Sequence, residues 1–416
     1  MRRLYDFSIF LLGIGMYFAH FFNKKAKQRI KEKDLWKTKI PLKKVDLWMH
    51  CASLGEFDQG LPILWKYKEK NPEAIILVTF FSPSGLNHYQ KRNHCVDFAC
   101  LMPLDTRRNV SAFLDYVDPK IVLFVKYEFW FNFIRGIKKR NIPLYAVSTL
   151  LRKNHFFFSF WGKFFQKYLL DFSHFFVQNE ETKLLLASVG IKNITVTGDT
   201  RYDHVINQRK VNFSNNSIPE FEQLKKIKGE KLSLVLGSSW LAEEELLNDV
   251  IDRLPFEFYI IAPHDISEKH LYEIEAMYGE HCIRLSEIKN HRQEKIILID
   301  SIGLLHLVYQ LADLAFIGGG FSGNLHNILE PAAYGVPVVF GPRFTKFPEA
   351  SLFLQKGFAQ KIESAEDLID KASLIIRKKA LLKEKIEEFM QEQAGASDAI
   401  MAHLLNMPEH FDSPSS

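Results

Sequence analysis

Cysteine is scarce in this chain. Its 416 residues hold four, Cys51, Cys95, Cys100 and Cys282, none at the CxxC spacing of a metal site and all within apolar runs. That pattern excludes a disulfide framework and fits buried thiols in a reducing compartment. An Asp-x-Asp pair of the kind that holds a divalent cation is missing as well, and so are short-period repeats and low-complexity tracts. Charge of one sign is not in large excess: the formal net charge is +5, too modest to imply a nucleic-acid partner.

Apolar and aromatic residues are plentiful. At 47% apolar and 25% charged the composition is that of a folded globular chain, which excludes disordered and collagen-like classes. One core does not suffice at this length, so two domains of roughly 150 to 200 residues each are expected. Many of the 36 phenylalanines and 14 tyrosines stand beside Lys or Arg, a pairing suited to a surface resting on an anionic membrane.

From Leu4 to Phe22 the chain is almost wholly apolar, interrupted by Asp6 and His20, and is about long enough to cross a bilayer as a helix or to lie in its interface. Lys24, Lys25, Lys27, Arg29, Lys31 and Lys33 follow at once, with no small-residue cleavage site between. The expectation is a retained membrane anchor with a basic collar over residues 1–30, which leaves the catalytic parts on the cytoplasmic side. The other reading is a helix buried in the first domain.

Beyond this segment, short β-branched or aromatic runs alternate with amphipathic stretches, the pattern of parallel strands joined by helices. Such runs cover 45–50, 74–80, 97–103, 120–126, 143–149, 174–179 and 193–198, enough for one doubly wound sheet. A polar stretch rich in Asn, Ser and Lys over 205–231 reads as a linker. The plan then repeats at 232–237, 257–263, 295–300, 314–320 and 336–341. The expected architecture is α/β, with one Rossmann-like domain over 31–204 and a second over 232–408, facing each other across a cleft lined by the carboxyl ends of the strands. The last residues, NMPEHFDSPSS, are expected to fray.

The clearest candidate site follows the first strand, in WMHCASLGEFDQG. Ala52, Ser53 and Gly55 suit a tight strand-to-helix turn, and Glu56 falls in the first helical turn, where free N–H groups and the helix dipole favour an ionised carboxylate. Such a carboxylate is a candidate general base for a hydroxyl nucleophile. The plainer alternative is a glutamate that only caps the helix.

Trp48, His50, Ser53, Gly55 and Glu56 form W-x-H-x-x-S-x-G-E, which resembles the signature turn of bacterial 3-deoxy-D-manno-octulosonic acid (Kdo) transferases. Gln178, Gly198, Asp199, Arg201, Tyr202 and Asp203 are similar to a second element of that family, and the stretch from Ile299 to Pro342 resembles its donor-binding half. The likeness runs in order from about residue 45 to 345. It implies a GT-B type glycosyltransferase in which Glu56 is the catalytic base, CMP-Kdo the donor substrate and a lipid A precursor the acceptor. No cofactor, metal or nucleic acid is implied, and the place of action is the cytoplasmic side of the inner membrane.

On the donor side, Gly318, Gly319 and Gly320 end a strand and let backbone approach a ligand, while Asn324, His326 and Asn327 are expected to open a helix whose N-terminus suits a phosphate or carboxylate. Glu330, one turn along, is placed for ribose hydroxyls; a surface charge is the alternative. Gly237, Ser238 and Ser239 form a second small-residue turn able to meet the phosphate of CMP, with Pro263, His264 and Arg201 as further donor contacts. For the acceptor, Ser53, Gly55, Ser82 and Gly85 join Glu128, which with Trp130 resembles the family's E-x-x-W-P element. Lys126 stands where relatives often carry Glu, Phe131 replaces the Pro, and His264 stands where Arg commonly follows Pro263. An Asn-Ala-Arg loop is not evident around Val147 to Leu151.

Residues 150–170 interleave Phe156, Phe157, Phe158, Phe160, Trp161, Phe164 and Phe165 with Arg152, Lys153, Lys163 and Lys167. Membrane and lipid contact is the expectation here, against an ordinary core helix with basic flanks. The expected chemistry is direct inverting transfer, with two rivals: a UDP-sugar transferase of the same architecture, and a non-catalytic, membrane-docked nucleotide-binding protein.

Overall fold

Buried runs of Val, Ile, Leu and Phe become parallel strands here, because helices cover both faces and leave no polar side to alternate towards. A computed structural model of the chain describes residues 2–40, 44–214 and 218–406. It divides into two units, Met1–His204 with Gln393–Ser416, and Val205–Glu392.

The first unit opens with α1 (Arg2–Ala19), α2 (Lys24–Glu32) and α3 (Trp36–Lys39). Strands β1 (Leu47–Cys51), β2 (Ile76–Phe80), β3 (Phe98–Leu101), β4 (Ile121–Val125), β5 (Leu144–Thr149), β6 (His174–Val177) and β7 (Ile194–Val196) follow. Between them run α4 (Leu54–Lys70), α5 (Pro83–His88), α6 (Arg107–Val117), α7 (Phe131–Lys139) and α8 (Glu180–Ser188). The strand order is β3-β2-β1-β4-β5-β6-β7, all parallel, so the winding reverses between β1 and β4. Open α/β sheets bind ligands beyond the carboxyl ends of the strands at this reversal. Alternation along β4 feeds two cores: Val122 and Phe124 pack with Trp48, Phe113 and Phe133, while Leu123 and Val125 pack with Met49, Leu61 and Phe176.

Helices α9 (Thr200–Ser214) and α10 (Pro219–Lys228) lead into the second unit. Its sheet holds β8 (Ser233–Ser239), β9 (Phe258–Pro263), β10 (Cys282–Arg284), β11 (Ile296–Leu298), β12 (Leu314–Ile317), β13 (Val338–Phe340) and β14 (Ala359–Lys361). Their order is β10-β11-β9-β8-β12-β13-β14, again parallel, with the reversal between β8 and β12. Helices α11 (Leu241–Asn248), α12 (Glu268–Tyr278), α13 (Leu305–Val308), α14 (Leu329–Ala332), α15 (Pro348–Lys356), α16 (Ala365–Arg377) and α17 (Lys379–Gln393) accompany it. A last helix, α18 (Ala396–Leu405), belongs to the first unit, where Ile400, Met401 and Leu404 join the core beside Met49 and Phe57.

Three expectations need correction. Residues 205–231 are not an open linker, because α9 and α10 occupy most of that stretch. The second domain does not run on to residue 408. The carboxylate of Asp203 accepts the N–H groups of Gly395 (2.6 Å) and Ser397 (2.7 Å), which fastens the start of α18 to the first unit. The apolar N-terminal stretch is not one straight helix either: α1 ends at Ala19, Asn23 caps α2, and the two helices bend by 117°. Among the described residues no single helix is long and apolar enough to cross a membrane. Most of the residues for which fraying was expected, 407–416, lie outside the described ones.

Nor is α1 buried as a core helix. Ile9 is its one fully buried side chain, and the Tyr5 hydroxyl donates to Asp105 at 2.5 Å. Leu4, Phe10, Leu11 and Phe18 are exposed, and Phe7 keeps 54% of its surface open. Residues 150–170 form 3₁₀ turns, Phe156–Phe158 and Gly162–Asp171, rather than an α-helix. A side chain at Gly162 would strike the Phe156 carbonyl at 1.7 Å, so the turn needs glycine. Phe157, Phe165, Tyr168 and Leu169 enter the core, whereas Phe160 and Trp161 stay exposed.

Candidate active site

Glu56 and Glu128 flank the reversal point of the first sheet, Glu56 beyond β1 and Glu128 beyond β4. Ser53 is the N-cap of α4: its hydroxyl accepts the Glu56 N–H at 3.4 Å, and Glu56 Oε2 accepts the N–H groups of Ala52 (2.5 Å) and Ser53 (3.2 Å). The capping box is complete, so Glu56 does cap the helix. The exposed Gly55 beside it has open space where a side chain would stand.

The expectation of a carboxylate held ionised by these N–H groups is overturned. Burial first, and the charge of Glu128 second, push the Glu56 carboxyl up to about 7; the N–H groups of Ala52 and Ser53 and the Lys126 ammonium oppose this and lose. A carboxyl poised near neutrality suits a general base, since it takes up and releases protons at working pH.

Glu128 is buried, and one of its oxygens is held by two ring nitrogens. His50 Nε2 meets its Oε2 at 2.9 Å and Trp130 Nε1 donates to the same oxygen at 2.6 Å. His50 Nδ1 lies 2.9 Å from the Thr79 hydroxyl and 3.0 Å from its carbonyl, and the Trp48 indole donates to that hydroxyl at 2.8 Å. Protonated on Nε2, the imidazole donates to Glu128. His50, Trp130 and Lys126 are therefore site residues that reasoning from chemistry alone passed over. The signal for His50 was a polar residue in an otherwise apolar strand. Lys126 carries φ +66°, a left-handed conformation that a lysine adopts only where its surroundings enforce it.

Ser82 caps α5 through the Ser84 N–H at 3.3 Å. Gly85 is buried, and a side chain there would meet the Phe80 ring at 2.6 Å, so its role is packing rather than acceptor contact. Arg201, expected among donor contacts, belongs to the first unit and forms an ion pair with Asp199 at 2.7 Å.

In the second unit the two glycine turns flank the corresponding reversal, after β8 and after β12. Their glycines answer to protein backbone. A side chain at Gly318 would lie 2.0 Å from the Ser238 carbonyl, one at Gly319 2.2 Å from the Asn324 carbonyl, and one at Gly320 2.3 Å from the Gly341 nitrogen. Gly237 likewise leaves room for the Tyr309 hydroxyl, and Ser238 takes φ +52°. The Ser239 hydroxyl is not free for a phosphate: it is buried and donates to Glu244 at 2.6 Å. The Gly319 N–H is likewise taken, by Glu243 Oε1 at 2.9 Å. Glu243 is a further residue missed from sequence, and burial raises its carboxyl above its ordinary value despite bonds from Trp240, Phe321 and Gly319.

Asn324, His326 and Asn327 do not open a helix. They lie in the loop before the four-residue α14, where Asn327 donates to Glu330 at 3.2 Å and caps Leu329 at 3.1 Å. Glu330 is half-buried, which removes the reading of it as a plain surface charge. His264, after Pro263, stacks on Trp240 at 4.5 Å and approaches His326 at 4.7 Å. Burial and the nearby His264 depress the His326 imidazole to about 4, so it is neutral at working pH. These rings stand at the carboxyl ends of the central strands, where open α/β sheets take nucleotides.

Residues 21–204 match the family described as 3-deoxy-D-manno-octulosonic-acid transferase. The chain is 27% identical over 351 residues to the 3-deoxy-D-manno-octulosonic acid transferase of Aquifex aeolicus, covering 82% of this chain and 90% of that one. It is 27% identical over 394 residues to the transferase of Rickettsia bellii, covering 89% and 90%. A bifunctional glycosyltransferase/methyltransferase of Fusobacterium nucleatum is 25% identical over 356 residues; the match covers 83% of this chain and spans about half, 55%, of that longer protein. Among solved structures, UDP-GlcNAc 2-epimerase from Neisseria meningitidis superposes with a TM-score of 0.63 at 15% identity, over 87% of this chain and all of that one, a likeness of fold. With the family pattern matched over residues 21–204 and most of its length aligned with these transferases, the chain is similar to the 3-deoxy-D-manno-octulosonic acid transferases.

Proposed function

We propose that this protein transfers Kdo from CMP-Kdo to a primary hydroxyl of a lipid A precursor, with inversion, in lipopolysaccharide biosynthesis. The observation that carries the reading is Glu56, a carboxyl with its pKa raised to about 7, fixed by a capping box at the reversal point of a doubly wound sheet. Similarity to that family supports the donor and the reaction class.

In this mechanism the acceptor oxygen bonds to the anomeric carbon of Kdo as the bond from that carbon to the CMP phosphate oxygen breaks. The hydroxyl proton passes to Glu56, and CMP departs with the electron pair. Glu128 keeps Glu56 basic enough to accept that proton, and His50 with Trp130 holds Glu128 in place. The second unit binds the nucleotide, with Glu330 towards the ribose and the loop Gly318 to Asn327 near the phosphate.

Lipid acceptors are reached at a membrane, and the reading extends there. The exposed apolar side of α1, with Phe160 and Trp161, lies in the plane of the inner membrane on its cytoplasmic face, with the cations of α2 near its phosphates.

The test is steady-state release of CMP by Glu56→Gln and Glu56→Ala protein given CMP-Kdo and a tetra-acylated disaccharide acceptor, with mass spectrometry of the lipid product. Wild-type product one Kdo or more heavier, and loss of turnover in the folded variants, supports the proposal. Near-normal turnover in either variant removes Glu56 as the base, and product formed from a UDP sugar but not from CMP-Kdo removes the donor assignment.

A further inference from the structure

Five cations converge on one small recess of the first unit, away from Glu56. Arg2 from α1, Arg107 from α6, Arg135 and Lys139 from α7, and Arg140 just after it line a hollow of about 130 Å³ together with Asn132. That is the share of roughly four waters in the liquid, room for one phosphoryl group and not for a nucleotide. Gly136 makes the convergence possible: a side chain there would lie 2.7 Å from Val110 and 2.9 Å from Leu114, so α6 and α7 pack backbone-close and their basic residues face one another.

The carboxylates at hand do not balance this charge. Asp6 pairs with Arg107 and accepts from Asn132 at 3.0 Å; Asp115 holds Arg140 at 2.5 Å; Asp171 faces Lys138 and, more weakly, Arg135. Among the described residues neither Arg135 nor Lys139 forms an ion pair, and the buried Nε of Arg2 has no hydrogen-bond partner. Clustered like charges repel, so a site of this kind is stabilised when an anion enters it. Arginine forks suit phosphate oxygens in particular.

The wall that completes the recess identifies the source of the anion. Arg2 is on the same helix whose Leu4, Phe7, Phe10 and Leu11 are exposed. A ligand with phosphate at one end and acyl chains at the other satisfies both features at once. We propose that this recess is a headgroup site for the phosphate of an anionic membrane lipid, separate from the residues assigned to transfer. The proposal rests on the reading of α1 as lying in the membrane plane.

Vesicle flotation with the full-length protein tests it, using phosphatidylcholine alone and phosphatidylcholine doped with phosphatidic acid. The double variant Arg135→Gln/Lys139→Gln is expected to lose on the order of tenfold in binding to the doped vesicles and little to the neutral ones. Lys138→Gln, one residue away and outside the recess, is expected to change binding by less than about twofold. An equal loss from Lys138→Gln overturns the proposal in favour of diffuse surface charge. If the wild type floats with neither vesicle, the in-plane reading of α1 falls and the lipid source with it. A rise in melting temperature with inorganic phosphate that the double variant lacks then identifies a free anion as the ligand.

Discussion

Ser53 and Glu56 cap each other: the serine hydroxyl takes the glutamate's N–H while the glutamate's carboxylate takes the serine's N–H at 3.2 Å. The reciprocal pair fixes the carboxyl, and burial beside Glu128 raises it to about 7. One side chain is thus both a structural cap and the proposed base, and the two roles are separable because glutamine fills the same capping position.

Glu56→Gln is expected to lose turnover by about 10²- to 10⁴-fold while keeping its melting temperature. The folded-state value lies above the ordinary glutamate value of 4.5, so the folded protein is relatively destabilised by this group as pH rises from 4.5 through about 7. Thermal melts should accordingly show the variant at no disadvantage at pH 8, and any relative gain fading towards pH 4.5. A variant that melts much earlier than wild type at pH 8 contradicts this.

Glu128→Gln removes the second cause of the raised value. The wild-type kcat/KM should fall as pH drops below about 7, where Glu56 takes a proton. In the variant that acid limb moves to lower pH without reaching the ordinary carboxylate range, since burial remains. A profile measured on folded protein whose acid limb does not move removes Glu128 as the tuning charge.

Gly320→Ala places a methyl group 2.3 Å from the Gly341 nitrogen, backbone that cannot swing aside. A loss of more than about 2 kcal/mol is expected in denaturant unfolding of the second unit. Gly55→Ala, in the first turn of α4 with open space around it, should be neutral or stabilising by up to about 1 kcal/mol.

Phe7→Ser/Phe10→Ser strips two exposed rings from α1 without touching its contact through Ile9. Binding to phosphatidylcholine vesicles should fall at least about tenfold, since a buried Phe is worth about 1.5–3 kcal/mol. The melting temperature in detergent-free buffer should hold. Unchanged flotation shows that α1 does not enter the lipid.

The strands were legible from sequence because both sheets are covered on both faces, so each strand reads as a continuous apolar run such as Ile121–Val125. Glu56 was legible because a capping box has a local signature. The upward shift of its carboxyl was not, since it arises first from burial in the folded unit and then from Glu128, 72 residues away in sequence and brought close by the pairing of β1 with β4. The glycines after β8 and β12 were found, but not the packing that demands them: the close approach of Ser238 to Gly318 and of Gly341 to Gly320 has no local signal. The same limit hid the partner of Asp203, because nothing local ties that residue to Gly395.

That last clasp has a consequence for how the protein is made. A ribosome delivers residues 1–204 early, yet α18, which seals the core around Met49 and Phe57, emerges only after the entire second unit. The half synthesised first is thus completed only after the other, and until α18 emerges the apolar side chains around Met49 and Phe57 lack its cover.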